Sequence, residues 1–277
     1  MKGANLAKRV AGKFTQFPSV EAISLVGSQT SGVLDQKSDI DLYIYTKEIP
    51  PLESRQQIVE ELDASRADMN LSFWDIGDEW FDFTTGIEVD VMFWSPQWIE
   101  EQLDRVLVQH QARMGYTTCF WRTVKNSQIL FDRNGWFANL QKQSQQPYPR
   151  QLKRAIIAKN HPVLKNIIPS YYNQIKKALG RNDLISVNHR LSALFASYFD
   201  VLFAINEVLH PGEKKIRQFV KDECSETPEK LELQVKGILQ TAGVGDEKLL
   251  EQLDILIDGL DHLLIAEGFN PDQTLFL

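Results

Sequence analysis

Seven consecutive residues, Asp39-Ile40-Asp41-Leu42-Tyr43-Ile44-Tyr45, alternate polar and apolar side chains without a break. A period of two has one backbone solution, an extended strand. Ile40, Leu42 and Ile44 then project from one face, and Asp39, Asp41, Tyr43 and Tyr45 from the other. A strand of this kind does not stand alone. Its apolar face must be covered and its edges paired, so the N-terminal part of the chain has to build a sheet with other elements packed on it.

The neighbouring segments supply the material. Residues 4–16 read as a helix carrying Leu6, Val10 and Phe14 on one stripe, with Phe17 beyond it, and Pro18-Ser19 ends it. Residues 23–26 form a short apolar strand that runs into Gly27-Ser28, and residues 54–64 read as a helix. Strands are expected at 69–74, 87–94 and 129–131. Helices are expected from Ser95-Pro96 to about Gln111, at 116–125 and at 135–143. After the polar, proline-bearing stretch at 143–149 the pattern is helical throughout. The clearest helices are 187–210, with Pro211-Gly212 as its stop, and 247–267, with Gly268 after its end. The expected class is α/β (α+β): a small mixed-sheet domain over 1–145, then an all-helical, substrate-binding domain over 146–277.

The segment from Gly27 to Asp41 carries the chemistry. Two carboxylates two residues apart on one strand share a face, and without a cation between them they repel. A shared divalent ion removes the conflict, and hard oxygen donors suit magnesium or manganese. Upstream, a strand ending in Gly-Ser lets the backbone approach a phosphate closely. One strand–turn–strand unit therefore sets a phosphate cradle beside a metal seat. Asp90, in the strand Ile87-Glu88-Val89-Asp90-Val91-Met92-Phe93-Trp94, is the natural third carboxylate of a two-ion site that acts at a phosphorus atom.

Gly-Ser, ten residues, then Asp-x-Asp, with a third Asp on a later strand, resembles the signature of the polymerase-β-like nucleotidyltransferase superfamily over about residues 22–94. The helical second half resembles the C-terminal bundle of aminoglycoside- and lincosamide-type nucleotidyltransferases, with a local echo at Leu209-His210-Pro211-Gly212-Glu213-Lys214-Lys215. The resemblance implies an enzyme that moves a nucleoside monophosphate from a nucleoside triphosphate, ATP first, to a hydroxyl of a small acceptor and releases pyrophosphate. It implies Asp39, Asp41 and Asp90 as catalytic metal ligands for two magnesium ions. It also implies Gly27 and Ser28 as triphosphate contacts. Apart from the resemblance, Ser38 beside the Asp-x-Asp pair and Lys214 and Lys215 after the Pro-Gly stop are further nucleotide-binding candidates, and Glu207, off the apolar stripe of its helix, is a candidate general base. The alternatives are a transferase acting on a protein partner, as in toxin–antitoxin pairs, and a nucleotide-binding regulator with little turnover. Thr30 stands where antitoxin-like members often carry a basic residue.

Charge and composition remove other classes. The net charge is −7, and it divides as −6 over residues 1–145 and −1 over 146–277. Neither part has the basic excess that gripping a long nucleic acid requires. Residues 67–95 hold no Lys or Arg but seven acids among many aromatics, a wall suited to a cationic acceptor if it is not simply core and surface. No apolar run is long enough for a membrane span. The N-terminus lacks an apolar signal core, and Cys119 and Cys224 fit no metal or redox spacing, so a cytoplasmic location is expected. The five histidines show no zinc spacing, and no P-loop, nucleophile elbow or dinucleotide fingerprint occurs.

Overall fold

The computed structural model describes residues 2–27, 39–73, 75–246 and 248–276. The chain forms two compact units. One comprises Met1–Asp104 with Thr123–Gln146, and the other Arg105–Arg122 with Pro147–Leu277. The class is α+β: a mixed six-stranded sheet in the first unit and helices throughout the second.

The sheet contains β1 (Val20–Val26), β2 (Ile40–Thr46), β3 (Ala64–Leu71), β4 (Gly77–Asp82), β5 (Glu88–Trp94) and β6 (Gln128–Asp132), in the order β3-β4-β5-β2-β1-β6. Only β2 and β5 run parallel; the other neighbours are antiparallel. The alternation of β2 resolves as expected, with Ile40, Leu42 and Ile44 wholly buried and Asp41 and Tyr43 half-buried on the opposite face. The covered face packs against α1 (Lys2–Phe14) through Leu6, Val10 and Phe14, and against α2 (Leu52–Glu61) through Ile58 and Val59. That core clamps β2 from behind and leaves the polar face to present Asp41.

Strand β4 escaped sequence reading. Its core-facing residues are Asp78, Trp80 and Asp82, an inside face that looks like an outside one. Arginines make the burial tolerable. Arg55 of α2 donates to Asp78 and to the Pro50 carbonyl, and its guanidinium lies 5.1 Å from the Phe93 ring centroid. Arg9 of α1 donates to Asp82 at 2.6 Å, and Thr85 donates to the other Asp82 oxygen through its amide and its hydroxyl. Buried charges persist only when paired in this way. Two further boundaries are corrected. Helix α2 stops at Glu61 instead of about 64, because Asp63 turns the chain at φ 61°. The strand expected at 69–74 starts earlier and spans Ala64–Leu71.

After β5 the chain runs through α3 (Pro96–Leu107) and α4 (Cys119–Asn126) to β6 and α5 (Trp136–Gln143). The amide of Trp98 reaches the Ser95 hydroxyl at 3.4 Å, which places that serine at the start of α3. The helix ends at Leu107 instead of Gln111.

The second unit holds α6 (Arg150–Asn160), α7 (Tyr171–Leu179), α8 (Leu184–Ile205), α9 (Ile216–Glu223), α10 (Leu231–Ala242) and α11 (Lys248–Ala266). Leu191, Leu194, Tyr198, Val201 and Leu202 of α8 make its central seam, packed with Leu253, Leu256 and Leu260 of α11. The expected 187–210 helix is shifted and shorter, and Pro211-Gly212 is not its stop. Val208 N–H bonds to Phe203 C=O at 3.0 Å and Glu207 N–H to Ala204 C=O at 3.1 Å, a Schellman closure with Glu207 at φ 56°. Val208 and Leu209 therefore lie outside the helix. At the end of α11 the same closure uses Gly268, at φ 80°, as its sequence position suggested.

Candidate functional site

The site is built on the face of the sheet opposite the core that α1 and α2 cover, at the end of β2 where Asp41 is half-buried. Strands β2 and β5 run parallel with Asp41 directly paired to Asp90. Paired residues on adjacent strands share a face, and the strands lie about 4.8 Å apart. Both side chains are half-buried. On the next strand Glu79 pairs with Asp90, and beyond it Asp68 pairs with Glu79. One register line therefore carries Asp41, Asp90, Glu79 and Asp68 across β2, β5, β4 and β3.

Gly27 closes the line on the β1 side. Val26 pairs with Asp41, and Gly27 follows at φ 79°, a conformation that favours glycine. A Cβ there would overlap the Asp41 carboxylate oxygen and stand 3.3 Å from Asp41 Cγ. Only glycine lets the backbone come this close to the carboxylate. Ser28 and Ser38 lie outside the described residues. Asp39 is exposed immediately before β2, two residues from Asp41.

A cavity of about 410 Å³ opens beside Asp90 and Glu79, with Asp68, Asp75, Leu71, Phe73 and Met92 in its walls. Asp75 accepts a hydrogen bond from the Trp94 indole at 3.1 Å, and Asp68 pairs with Arg66 at 3.1 Å. The Arg55–Asp78 pair steadies this wall from behind, since Arg55 also donates to Asn70 Oδ1 at 3.0 Å and Asn70 N–H donates to Asp78 at 2.8 Å. The acidic, aromatic stretch at 67–95 thus splits: Trp80, Asp78 and Asp82 are core, whereas Asp68, Phe73, Asp75, Glu79 and Asp90 border the cavity.

Among the described residues no three His, Cys, Asp or Glu side chains are grouped to hold a metal ion. Asp41 and Asp90 are nevertheless a fitting donor pair for magnesium. That ion is commonly held by one or two carboxylates, the rest of its shell coming from water and substrate phosphate oxygens. The chemistry of the two donors is hard oxygen only.

The remaining candidates belong to the second unit. Glu207 occupies its left-handed position beyond α8, largely exposed, 3.5 Å from Lys153 Nζ. Lys153 is buried and also donates to the Ile205 carbonyl at 2.9 Å and to Glu267 at 2.7 Å, which neutralises the end of α8. Lys214 and Lys215 are exposed in the turn before α9, Lys215 at φ 57°.

That turn is anchored from below. The His210 amide donates to Thr118 Oγ1 at 2.8 Å, and the Gly212 amide donates to His210 Nδ1 at 3.1 Å. Nδ1 is therefore an acceptor, and the Cys119 sulfur lies 3.6 Å from it. Burial pushes the His210 imidazole down to about 4 and the Cys119 thiol up to about 12. Asp200, also buried, accepts from the Thr117 amide and hydroxyl at 3.0 and 2.6 Å and from Asn160 at 3.2 Å. Its desolvation outweighs those bonds and raises the carboxyl to about 7. Asp200 was not singled out from sequence, since it sits mid-helix among apolar neighbours, and Glu79 figured there only as one of the seven acids of 67–95, since its strand was not identified.

Among the described residues no helix is long and apolar enough to cross a membrane. A domain of unknown function, DUF4037, matches residues 119–215. No curated protein matches the chain. Among solved structures, the chain is similar to a nucleotidyltransferase-like protein from Exiguobacterium sibiricum, at 12% identity and a TM-score of 0.45, with 98% of this chain and 78% of that one covered.

Proposed function

We propose that the first unit transfers a nucleoside monophosphate from a nucleoside triphosphate, ATP first, to a hydroxyl of a small acceptor. The observation that carries this is the direct register of Asp41 with Asp90 on parallel neighbours, with the Gly27 backbone pressed against the Asp41 carboxylate. Two carboxylates at one height on adjacent strands share a face, and hard oxygen donors so placed suit one divalent cation. Gly27 beside them is exposed, and its backbone, without a side chain, can approach a phosphate closely.

In this reading Asp41 and Asp90, with Asp39 at the head of the strand, hold magnesium against the triphosphate. A divalent ion there supplies charge neutralisation at the α-phosphate and the departing pyrophosphate. The chain's own contribution is placement. The buried Ile40, Leu42 and Ile44 fix the pitch of β2, Val89 and Val91 fix β5, and the paired carboxylates consequently share one height on the sheet. The half-buried setting strengthens the attraction of these carboxylates for a divalent cation relative to open water. The acidic surface nearby disfavours a free triphosphate without its metal, so nucleotide binding is expected to require the divalent ion.

The test is transfer of label from α-labelled ATP, GTP, CTP and UTP with magnesium to a panel of hydroxyl-bearing acceptors. Asp41→Asn and Asp90→Asn should each abolish transfer while leaving the melting transition within a few degrees. Transfer that survives both substitutions would place the chemistry elsewhere.

A further inference from the structure

We infer that Glu79 is the base that takes the proton from the attacking hydroxyl, and that the cavity beside it admits the acceptor. The inference rests on the nucleotidyl-transfer reading above and adds to it the side from which the acceptor arrives.

The sheet itself supplies the direction. Reading outward from β1, the register line passes Gly27 at the end of β1, then Asp41, Asp90 and Glu79, with one strand spacing between successive carboxylates. At about 4.8 Å per strand, β1 and β4 lie some 14 Å apart. Displacement at phosphorus is in line, so the attacking and leaving oxygens stand on opposite sides of the atom. With the triphosphate held at Gly27 and the displacement aligned with this register line, pyrophosphate departs on the β1 side and the nucleophile comes from the β4 side. That is where the cavity lies. Its volume of about 410 Å³ falls within the range of small-molecule sites, and apolar Leu71, Phe73 and Met92 alternate with its carboxylates.

Elimination then singles out Glu79. Asp90 is assigned to the metal, Glu88 shares its face but pairs with Phe81 and does not line the cavity, Asp75 is held by the Trp94 indole, and Asp68 sits one strand further away, paired with Arg66. Glu207, the base suggested by sequence, faces Lys153 in the second unit. Glu79 is half-buried, points to the same face as Asp90, and has the longer side chain of the two. In the step, the acceptor O–H proton passes to a Glu79 carboxylate oxygen as the acceptor oxygen bonds to the α-phosphorus. The bond from phosphorus to the bridging oxygen breaks, and pyrophosphate leaves with the electron pair. Glu79 afterwards returns its proton to solvent.

The experiment needs no knowledge of the natural acceptor. The full chain is incubated with α-labelled ATP and magnesium, with water and with concentrated glycerol as probe nucleophiles. Labelled AMP and adenylyl-glycerol are quantified, and affinity for a non-hydrolysable ATP analogue with magnesium is measured by calorimetry. For Glu79→Gln we expect both products to fall by about 100-fold or more with nucleotide affinity held within about twofold. For Glu79→Ala we expect added formate to restore part of the rate. Should Glu79→Gln fail to fold, the formate response of Glu79→Ala decides the matter. Wild-type product no greater than that of Asp41→Asn overturns the enzymatic reading and this inference together. Wild-type turnover with Glu79→Gln within about threefold of it, an equal loss of nucleotide affinity, or no response to formate overturns the base assignment alone.

Discussion

Replacing Gly27 by alanine tests the geometry of the site more sharply than removing a carboxylate, because it leaves every charge in place. Two costs are legible. The φ of 79° puts an L-residue in the left-handed region, at roughly 1–2 kcal/mol. The new Cβ would also overlap the Asp41 carboxylate, which must retreat by about 1 Å to reach ordinary contact. Strand β2 cannot yield instead, since Ile40 and Leu42 are wholly buried against the helices behind it. The displacement therefore falls on the carboxylate. A misplacement of about 1 Å at a reacting centre costs on the order of 100-fold in rate. Gly86→Ala is the matched control: φ is 67°, the same class of strain, but nothing lies within 4 Å of its new methyl group. Both variants should melt a few degrees below wild type by calorimetry. Only Gly27→Ala should lose about 100-fold in transfer of α-labelled nucleotide. Equal turnover by the two alanine variants would refute the claim that the Gly27 backbone positions Asp41.

Three further outcomes are expected. Asp200 has a raised folded pKa of about 7, so its burial favours folding when the carboxyl is protonated and costs stability as pH rises from its unfolded value to about 7. Asp200→Asn removes that cost, so the variant's stability relative to wild type should climb between about pH 4 and 7, by up to roughly 4 kcal/mol, in paired urea titrations. His210, lowered to about 4, acts with the opposite sign and destabilises the fold as pH falls below its ordinary value, which flattens the wild-type profile over the same interval. A pH-independent difference between the two proteins would contradict the burial argument. Glu207→Gly should raise stability by about 1 kcal/mol, because the Schellman position then carries a residue without a Cβ penalty; a lower melting temperature would mean that the exposed contact with Lys153 outweighs backbone strain. Arg55→Met should destabilise the first unit by roughly 3–5 kcal/mol by leaving Asp78 buried without its partner. Adding Asp78→Leu should restore part of that loss, and denaturation curves of the single and double variants decide it.

Much of the first unit was legible in the sequence because local periodicity and burial agree there. Strand β2 alternates, and its partners β1 and β5 are short apolar runs bounded by turns, so the chain alone determined which residues of β2 face the core and that Asp41 faces away from it. Glycine at 27 likewise marked a close backbone approach at the end of β1, whereas its place against the Asp41 carboxylate was decided by the fold. Strand β4 was illegible for the converse reason. Its inward acids are neutralised by Arg9 and Arg55, which lie 73 and 23 residues away in the chain, and no local window contains that pairing. The same limit hid Glu79, whose place opposite Asp90 follows from the pairing of β4 with β5. It also hid the end of α8, where backbone closure at Glu207 stopped the helix ahead of the proline expected to do so. Residue pattern determines which face a strand buries. Which strands become neighbours, in what register, and therefore which carboxylates meet, is decided by long-range packing, because cross-strand contacts join residues whose separation in the chain carries no period.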